Sequence, residues 1–132
     1  MEFNVAQVHE AVSAAVPDRE CIVWRDRRLT YADVTDRTRR LANHLLAQGL
    51  GVRTERSALA GHESGQSQLA CYLHNGNEYL EGMLGADKAR VAPFNVNYRY
   101  VAEELRYLLN DAQAEAIVFH SAFADRLGEG LP

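Results

Sequence analysis

Leu84-Gly85-Ala86-Asp87-Lys88-Ala89-Arg90-Val91-Ala92-Pro93-Phe94-Asn95, followed after five residues by Val101-Ala102-Glu103-Glu104-Leu105-Arg106-Tyr107-Leu108-Leu109, decides the fold of this chain. The end of one helical pattern runs into a short apolar run, and a second helical pattern follows it. Working outward, Leu69 to Leu73 reads as a buried strand, Asn77 to Ala89 as a helix, Val91 to Phe94 as a strand, Val101 to Asn110 as a helix and Ala116 to Phe119 as a strand. Strands that alternate with helices predict a parallel sheet. The right-handed crossover rule makes it half of a doubly wound sheet, and a helical turn at Phe123 to Leu127 begins the next crossover.

Upstream, Val5, Val8, Val12 and Ala15 recur at helical spacing until Pro17 and Asp18 close the pattern, which predicts a short amphipathic helix over about 4–15. Cys21 to Trp24 and Arg28 to Tyr31 suit two strands of a hairpin turning at Asp26-Arg27. Thr30 and Asp33 imitate a capping box, Val34, Leu41, Ala42 and Leu45 hold one helical face, and Gly49 ends that helix. Residues 50–67, rich in Gly, Ser, Glu and Arg, form an extended surface loop, longer than most connections in compact domains. The expected class is α/β: an N-terminal helix and β-hairpin followed by an incomplete doubly wound parallel sheet, βαβαβ.

Composition narrows the function classes. With 132 residues, 47% apolar and 24% charged, the chain can build one domain's core. A net charge of -4 with interspersed signs leaves no basic stripe for nucleic acid or an anionic membrane, so neither is an expected partner. Glu2 and Asn4 stand where a signal peptide needs basic residues, and no stretch approaches the roughly 20 apolar residues of a membrane span. A cytoplasmic location is the expectation. Cys21 and Cys71 lack a CxxC and sit in apolar runs, which suits buried reduced thiols better than a metal or redox site.

Several motifs fail on spacing. Gly61-His62-Glu63-Ser64-Gly65 is neither a nucleophile elbow nor a phosphate loop, and adjacent His62, Glu63 and Ser64 point to different sides of an extended chain. His74-Asn75-Gly76-Asn77-Glu78 offers one glycine where a dinucleotide fingerprint needs three, so Asn75 or Asn77 reads as a helix cap. His9, His44, His62, His74 and His120 form no pair at i, i+3 or i, i+4, which leaves a metal site unsupported. His120 follows a buried strand, where it could line a crevice at the carboxyl end of the sheet; a cap or surface role is the commoner use. Arg37, Arg39 and Arg40 read as a solvated helix face. Leu80, Met83, Leu84 and Asp87 make an i, i+3, i+4, i+7 stripe that should face the core, so either the Asp87 carboxylate lies at the rim or it weakens the packing there.

The chain resembles the AMP-forming acyl-CoA synthetases, the acyl and aryl adenylating enzymes. Leu29-Thr30-Tyr31-Ala32-Asp33-Val34 is similar to the family's Leu-Thr-Tyr turn into a helix, and Arg40-Leu41-Ala42-Asn43 with Leu46 to Gly51 to that helix's continuation and exit. Asn75 or Asn77, Glu78, Tyr79, Glu81 and Gly85 follow, slightly shifted, an Asn-x-x-Glu-Tyr-x-Glu-x-x-x-Gly pattern, and the stretch quoted first completes the order. Pro93 to Tyr100 and the loop before Leu69 look most like bacterial fatty-acyl and steroid side-chain acyl-CoA synthetases.

The resemblance implies an amino-terminal part, 1–132, of a large adenylating domain: helix, hairpin and helix over 1–50, loop over 51–67, half-sheet over 68–132. The downstream catalytic part and a C-terminal lid domain lie outside it. For the full-length enzyme the family implies a carboxylic acid substrate, ATP, Mg2+ and CoA, with acyl-adenylate formed and pyrophosphate released before transfer to the thiol. The phosphate loop, metal-binding Glu, ribose-binding Asp and mobile Lys of the family match no position here, so no catalytic, cofactor-binding or metal residue is carried over, Lys88 included. The chain alone is expected to be inactive. Open sheet edges predict a homodimer. The competing reading is a free-standing flavodoxin-like binding or interaction module.

Overall fold

The computed structural model describes residues 4–131. Helix α1 (Val5–Ala15) starts where the Asn4 carboxamide oxygen accepts the Gln7 amide at 2.8 Å. An antiparallel hairpin follows, β1 (Glu20–Trp24) and β2 (Arg27–Thr30). Its turn is Arg25-Asp26, one residue earlier than the sequence suggests, with Arg25 at φ 55° taking the left-handed position that a glycine would mark. Helix α2 (Tyr31–Ala47) begins on the expected capping box: the Thr30 hydroxyl accepts the Asp33 amide at 3.1 Å and the Asp33 carboxylate accepts the Thr30 amide at 2.9 Å. It ends at Gly49, φ 80°, with Leu50 donating back to the Leu45 carbonyl at 3.1 Å.

Loop 51–67 returns through a bridge between Val52 and Gln66, and a short 3-10 turn, Arg56–Ala58, lies inside it. Then come β3 (Gln68–Tyr72), α3 (Asn77–Lys88), β4 (Ala92–Asn95), α4 (Ala102–Asp111), β5 (Ala114–Phe119), a 3-10 turn (Ser121–Phe123) and α5 (Ala124–Gly130). The three later strands form one parallel sheet in the order β4-β3-β5, with Leu69 beside Pro93 on one side and Ala116 on the other. The alternating β/α pattern therefore produces the doubly wound arrangement expected of it. Helices α2 and α3 cover one face, where Ala42, Leu45 and Ala86 pack on Leu69 and Cys71; α4 and α5 cover the other, where Leu105, Leu109 and Leu127 pack on Ala70 and Tyr72. Burial on both faces explains why β3 is an uninterrupted apolar run rather than an alternating one.

Two helical faces differ from expectation. Along α3 the buried positions are Asn77, Glu81, Gly82, Gly85 and Ala86, whereas Leu80 is 49% exposed, Met83 packs on the core from partial burial, and Leu84 and Asp87 are half-buried at its margin. Small residues win because α3 lies close against α2: a Cβ on Gly85 would sit 2.6 Å from Leu41 Cδ2. Along α1 the buried residues are Ala6, His9 and Ser13, while Val5, Val8 and Val12 are 63%, 49% and 37% exposed. Polar contacts chose that face. The Ser13 hydroxyl accepts from the Thr35 hydroxyl at 2.7 Å, and the Glu10 carboxylate accepts from both Arg39 of α2 and Lys88 of α3.

Candidate functional site at the carboxyl edge of the sheet

Because β3, β4 and β5 are parallel, their carboxyl ends converge on one edge, which is where open α/β sheets bind ligands. The chain leaves β3 through Leu73-His74-Asn75, β4 through Val96-Asn97-Tyr98 and β5 through His120. The ladder continues one step past the strands, with Val96 donating to the Cys71 carbonyl and His120 to the Tyr72 carbonyl, both at 3.0 Å. The side chains at the edge are thus set by backbone pairing.

His74 is the centre of an aromatic group. Its ring lies 5.1 Å from Tyr98, 5.2 Å from His120 and 4.5 Å from Phe123, and Phe123 stacks on buried Tyr72 at 4.6 Å. The His120 Nδ1 accepts the Ala122 amide at 3.1 Å, so this histidine stands at the crevice edge and caps the 3-10 turn at once. Beside the group opens a crevice of about 480 Å³, lined by Asn75, Tyr79, Asn95, Asn97, Tyr98 and Tyr100 among others. Amides and phenols dominate its wall, and no charged side chain lines it. Such a wall can hold a flat or neutral polar group by stacking and hydrogen bonds, and it supplies no acid, base or nucleophile of its own.

Arg126 of α5 braces this wall. Its guanidinium donates to the Tyr98 carbonyl at 3.0 Å and to the Tyr100 carbonyl and Tyr72 hydroxyl at 3.4 Å each, and its carbon lies 6.0 Å from the Phe123 ring centre. The Asn97 side chain accepts the Arg99 amide at 3.0 Å and the Asn97 carbonyl accepts from Tyr100 at 3.0 Å, closing the 97–100 turn. Sequence reasoning placed His120 here but missed His74, Tyr98 and Arg126. Their one available signal was position, just past a strand end or in the first turn after one.

The other singled-out residues are spread elsewhere. Gly61, Glu63, Ser64, Gly65 and Asp87 line a wider cavity of about 1210 Å³ that Val91, Ala92 and Pro93 bound at the amino end of β4. There the Glu63 carboxylate accepts the Ala60 amide at 2.7 Å and the Ser64 hydroxyl accepts from Gln68 at 3.0 Å. Burial alone pushes the Asp87 carboxyl above its ordinary value. Neither asparagine caps α3, whose N-cap is Gly76; buried Asn77 instead donates to Glu81 at 2.8 Å. Glu81 also accepts from Arg37 at 2.8 Å, and the pair holds the Arg37 guanidinium above its usual range.

Arg37 and Arg39 therefore tie helices together, whereas Arg40 pairs with Asp36 one turn away on its own helix. Lys88, its side chain 6% exposed, is held by Glu10 between α1 and α3. The Cys71 thiol, buried under the sheet with Asp87's charge nearby, is pushed up to about 11, while Cys21 is partly exposed. Among the described residues, no group of three or more His, Cys, Asp or Glu could hold a metal, and no helix is long and apolar enough to cross a membrane.

The hairpin, the three-stranded parallel sheet and the helices on both its faces define a doubly wound α/β fold. The AMP-binding enzyme family matches residues 9–130, and the chain belongs to that family. A medium-chain acyl-CoA ligase, Mig, of Mycobacterium avium is 58% identical over 130 residues, which are 98% of this chain and 24% of the relative. A medium/long-chain-fatty-acid and 3-oxocholest-4-en-26-oate CoA ligase of Mycobacterium tuberculosis is 36% identical over 98% of this chain and 21% of its own length. Thus the chain spans about a quarter of the length of the curated relatives it matches. The crystal structure of a benzoate CoA ligase from Burkholderia xenovorans LB400 superposes with a TM-score of 0.82 at 18% identity, over 98% of this chain and 24% of that one, and shows the fold. The family match does not favour a free-standing flavodoxin-like module.

Proposed function

We propose that residues 1–132 are the amino-terminal part of the large adenylating domain of an ATP-dependent acyl-CoA ligase. The whole enzyme activates a fatty or steroid side-chain carboxylate. The observation that carries this reading is the 58% identity to a medium-chain acyl-CoA ligase across 98% of the chain, and its margin over the 36% of the steroid-active relative favours a medium-chain acid. In the reaction a carboxylate oxygen attacks the α-phosphorus of ATP, pyrophosphate leaves, and the CoA sulfur then displaces AMP from the acyl-adenylate. ATP with Mg2+, the acid and CoA are the partners of the whole enzyme, in the cytoplasm.

This chain's contribution is the scaffold. Its parallel sheet fixes the carboxyl edge, and the neutral aromatic crevice braced by Arg126 forms one wall facing the rest of the domain. Catalytic, cofactor-binding and metal-binding groups belong to the segment beyond this chain. The test is acyl-dependent exchange between ATP and pyrophosphate. The parent polypeptide should exchange with medium-chain acids faster than with 3-oxocholest-4-en-26-oate, and the 132-residue chain should show none. Exchange by the short chain would overturn the division of labour, and a parent enzyme idle with all carboxylic acids would overturn the ligase reading.

A further inference from the structure

Helix α1 is held differently from the rest of the fold. Neither apolar cluster of the core takes a residue from it: one closes with Ala42, Leu45 and Ala86 on Leu69, the other with Leu105 and Leu127 on Tyr72. What α1 buries against α2 and α3 is Ala6, His9 and Ser13. Its attachments are polar. The Ser13 hydroxyl donates to the Tyr31 carbonyl at 3.2 Å and accepts from Thr35, and Glu10 clasps Arg39 and Lys88.

His9 is the exception among these groups. It is 9% exposed, both ring nitrogens are buried, and neither finds a hydrogen-bond partner among the described residues. Tyr31 of α2 lies beside it with ring centres 5.9 Å apart, and Leu84 of α3 lines the same groove. The charged groups on the three helices are Glu10 on its own, Arg39 on α2 and Lys88 on α3; Asp36 and Arg40 pair with each other on α2, and Asp87 lines the separate cavity at the amino end of β4. Glu10 already serves two cations. A proton on His9 would add a third around one carboxylate, in a place that offers the new N–H no acceptor, so the imidazolium is stable only where water reaches it. Just past the helix the chain is pinned, with the Pro17 carbonyl accepting from Ala32 and the Arg19 carbonyl from Tyr31 at 2.9 Å each, while Val16 between helix and pin has left helical geometry at φ -138°, ψ 56°.

We propose that α1 is an acid-released element: protonation of His9 undocks residues 5–15 from α2 and α3 as a unit about Val16, while the sheet and both apolar clusters stay folded. Release uncovers Tyr31, Thr35 and Leu84. The direction follows from linkage. Burial first and Lys88 second hold docked His9 below its ordinary 6.5, so docking is complete above that value and weakens as pH falls through it. Glu10, its carboxyl at about 2, keeps its charge through this range, so the two groups act in separate windows. One proton changes the docking equilibrium by at most about tenfold per pH unit, which makes the release graded.

Amide hydrogen exchange of the 132-residue chain at about pH 7.5 and about pH 5.5, corrected for intrinsic rates, is the test, since the two values bracket histidine titration. Protection in α1 should fall severalfold at the lower pH while that of residues 69–72 holds. His9→Phe and His9→Leu, which carry no proton, should each remove the pH dependence of α1 and leave that of the sheet as it was. The His9 imidazole resonance, followed by NMR in the unaltered chain, should titrate together with the loss of α1 protection. Three results overturn the proposal: α1 protection equal at both pH values, α1 and the sheet losing protection together, or His9 titrating while α1 stays protected. Chains with either substitution that still open with acid would assign the release to another group and overturn it as well.

Discussion

At the residue scale the two buried glycines of α3 make opposite predictions. A Cβ at Gly85 would fall 2.6 Å, 2.9 Å and 3.0 Å from Leu41 Cδ2, Cγ and Cβ, and an atom that close to the stem of a side chain forces the helices apart. Gly85→Ala should cost about 1–3 kcal/mol in denaturant unfolding. At Gly82 the nearest atom is the Cys71 sulfur at 3.7 Å, an ordinary contact. Gly82→Ala should therefore gain up to about 1 kcal/mol from helix propensity. Asp87 gives a third measurement. It stands in the last turn of α3, where a negative charge opposes the helix dipole, and burial raises its pKa. A carboxyl raised in the folded state is destabilising once it ionises, so the penalty grows as pH rises through the ordinary Asp range and beyond. Asp87→Asn should raise stability by about 0.3–1 kcal/mol at pH 7 and leave it unchanged near pH 3; equal melting temperatures at both values would refute this.

At the scale of elements, α1 is attached by polar groups more than by apolar ones. Glu10, held by Arg39 and Lys88, has its carboxyl lowered to about 2. A depressed carboxyl contributes stability that is present above its unfolded value of 4.5 and is lost as pH falls from there toward 2. Glu10→Gln should remove on the order of 2 kcal/mol at neutral pH, below the full shift because Arg39 is largely exposed. An earlier acid step comes from His9, which is buried with both ring nitrogens unpartnered; burial, with Lys88 adding, pushes its pKa below 6.5. The folded chain then binds this proton less well than the unfolded one, and stability declines as pH drops below 6.5. His9→Phe should flatten the part of the stability profile just below pH 6.5 and leave the Glu10 part, a separation that thermal melts across pH would display.

Across the whole molecule, protection should follow the layering. β3 is paired on both sides and covered on both faces, β4 and β5 are each paired on one side, and α1 lies outermost. Native-state hydrogen exchange should find the amides of 69–72 slowest, those of β4 and β5 intermediate, and those of α1 fastest. Fast exchange in β3 with slow exchange in α1 would contradict the layered description.

Reading alone was enough for the alternation of strands and helices, the capping box at Thr30 and Asp33, the exit at Gly49 and the family likeness, because each of these is local: a periodicity, a cap or an ordered motif is complete within a few residues. The hairpin turn at Arg25 lacked its glycine and so lacked its signal. Which helical face turns inward was decided elsewhere. Apolar periodicity pointed α3 at Leu80 and Asp87 and α1 at its valines, but close approach to Leu41 demanded glycines in α3, and the Ser13–Thr35 and Glu10–Lys88 contacts rotated α1. The crevice is likewise tertiary. His74, Tyr98, His120 and Arg126 stand far apart in the chain, and only parallel pairing of three strands brings their ends to one edge.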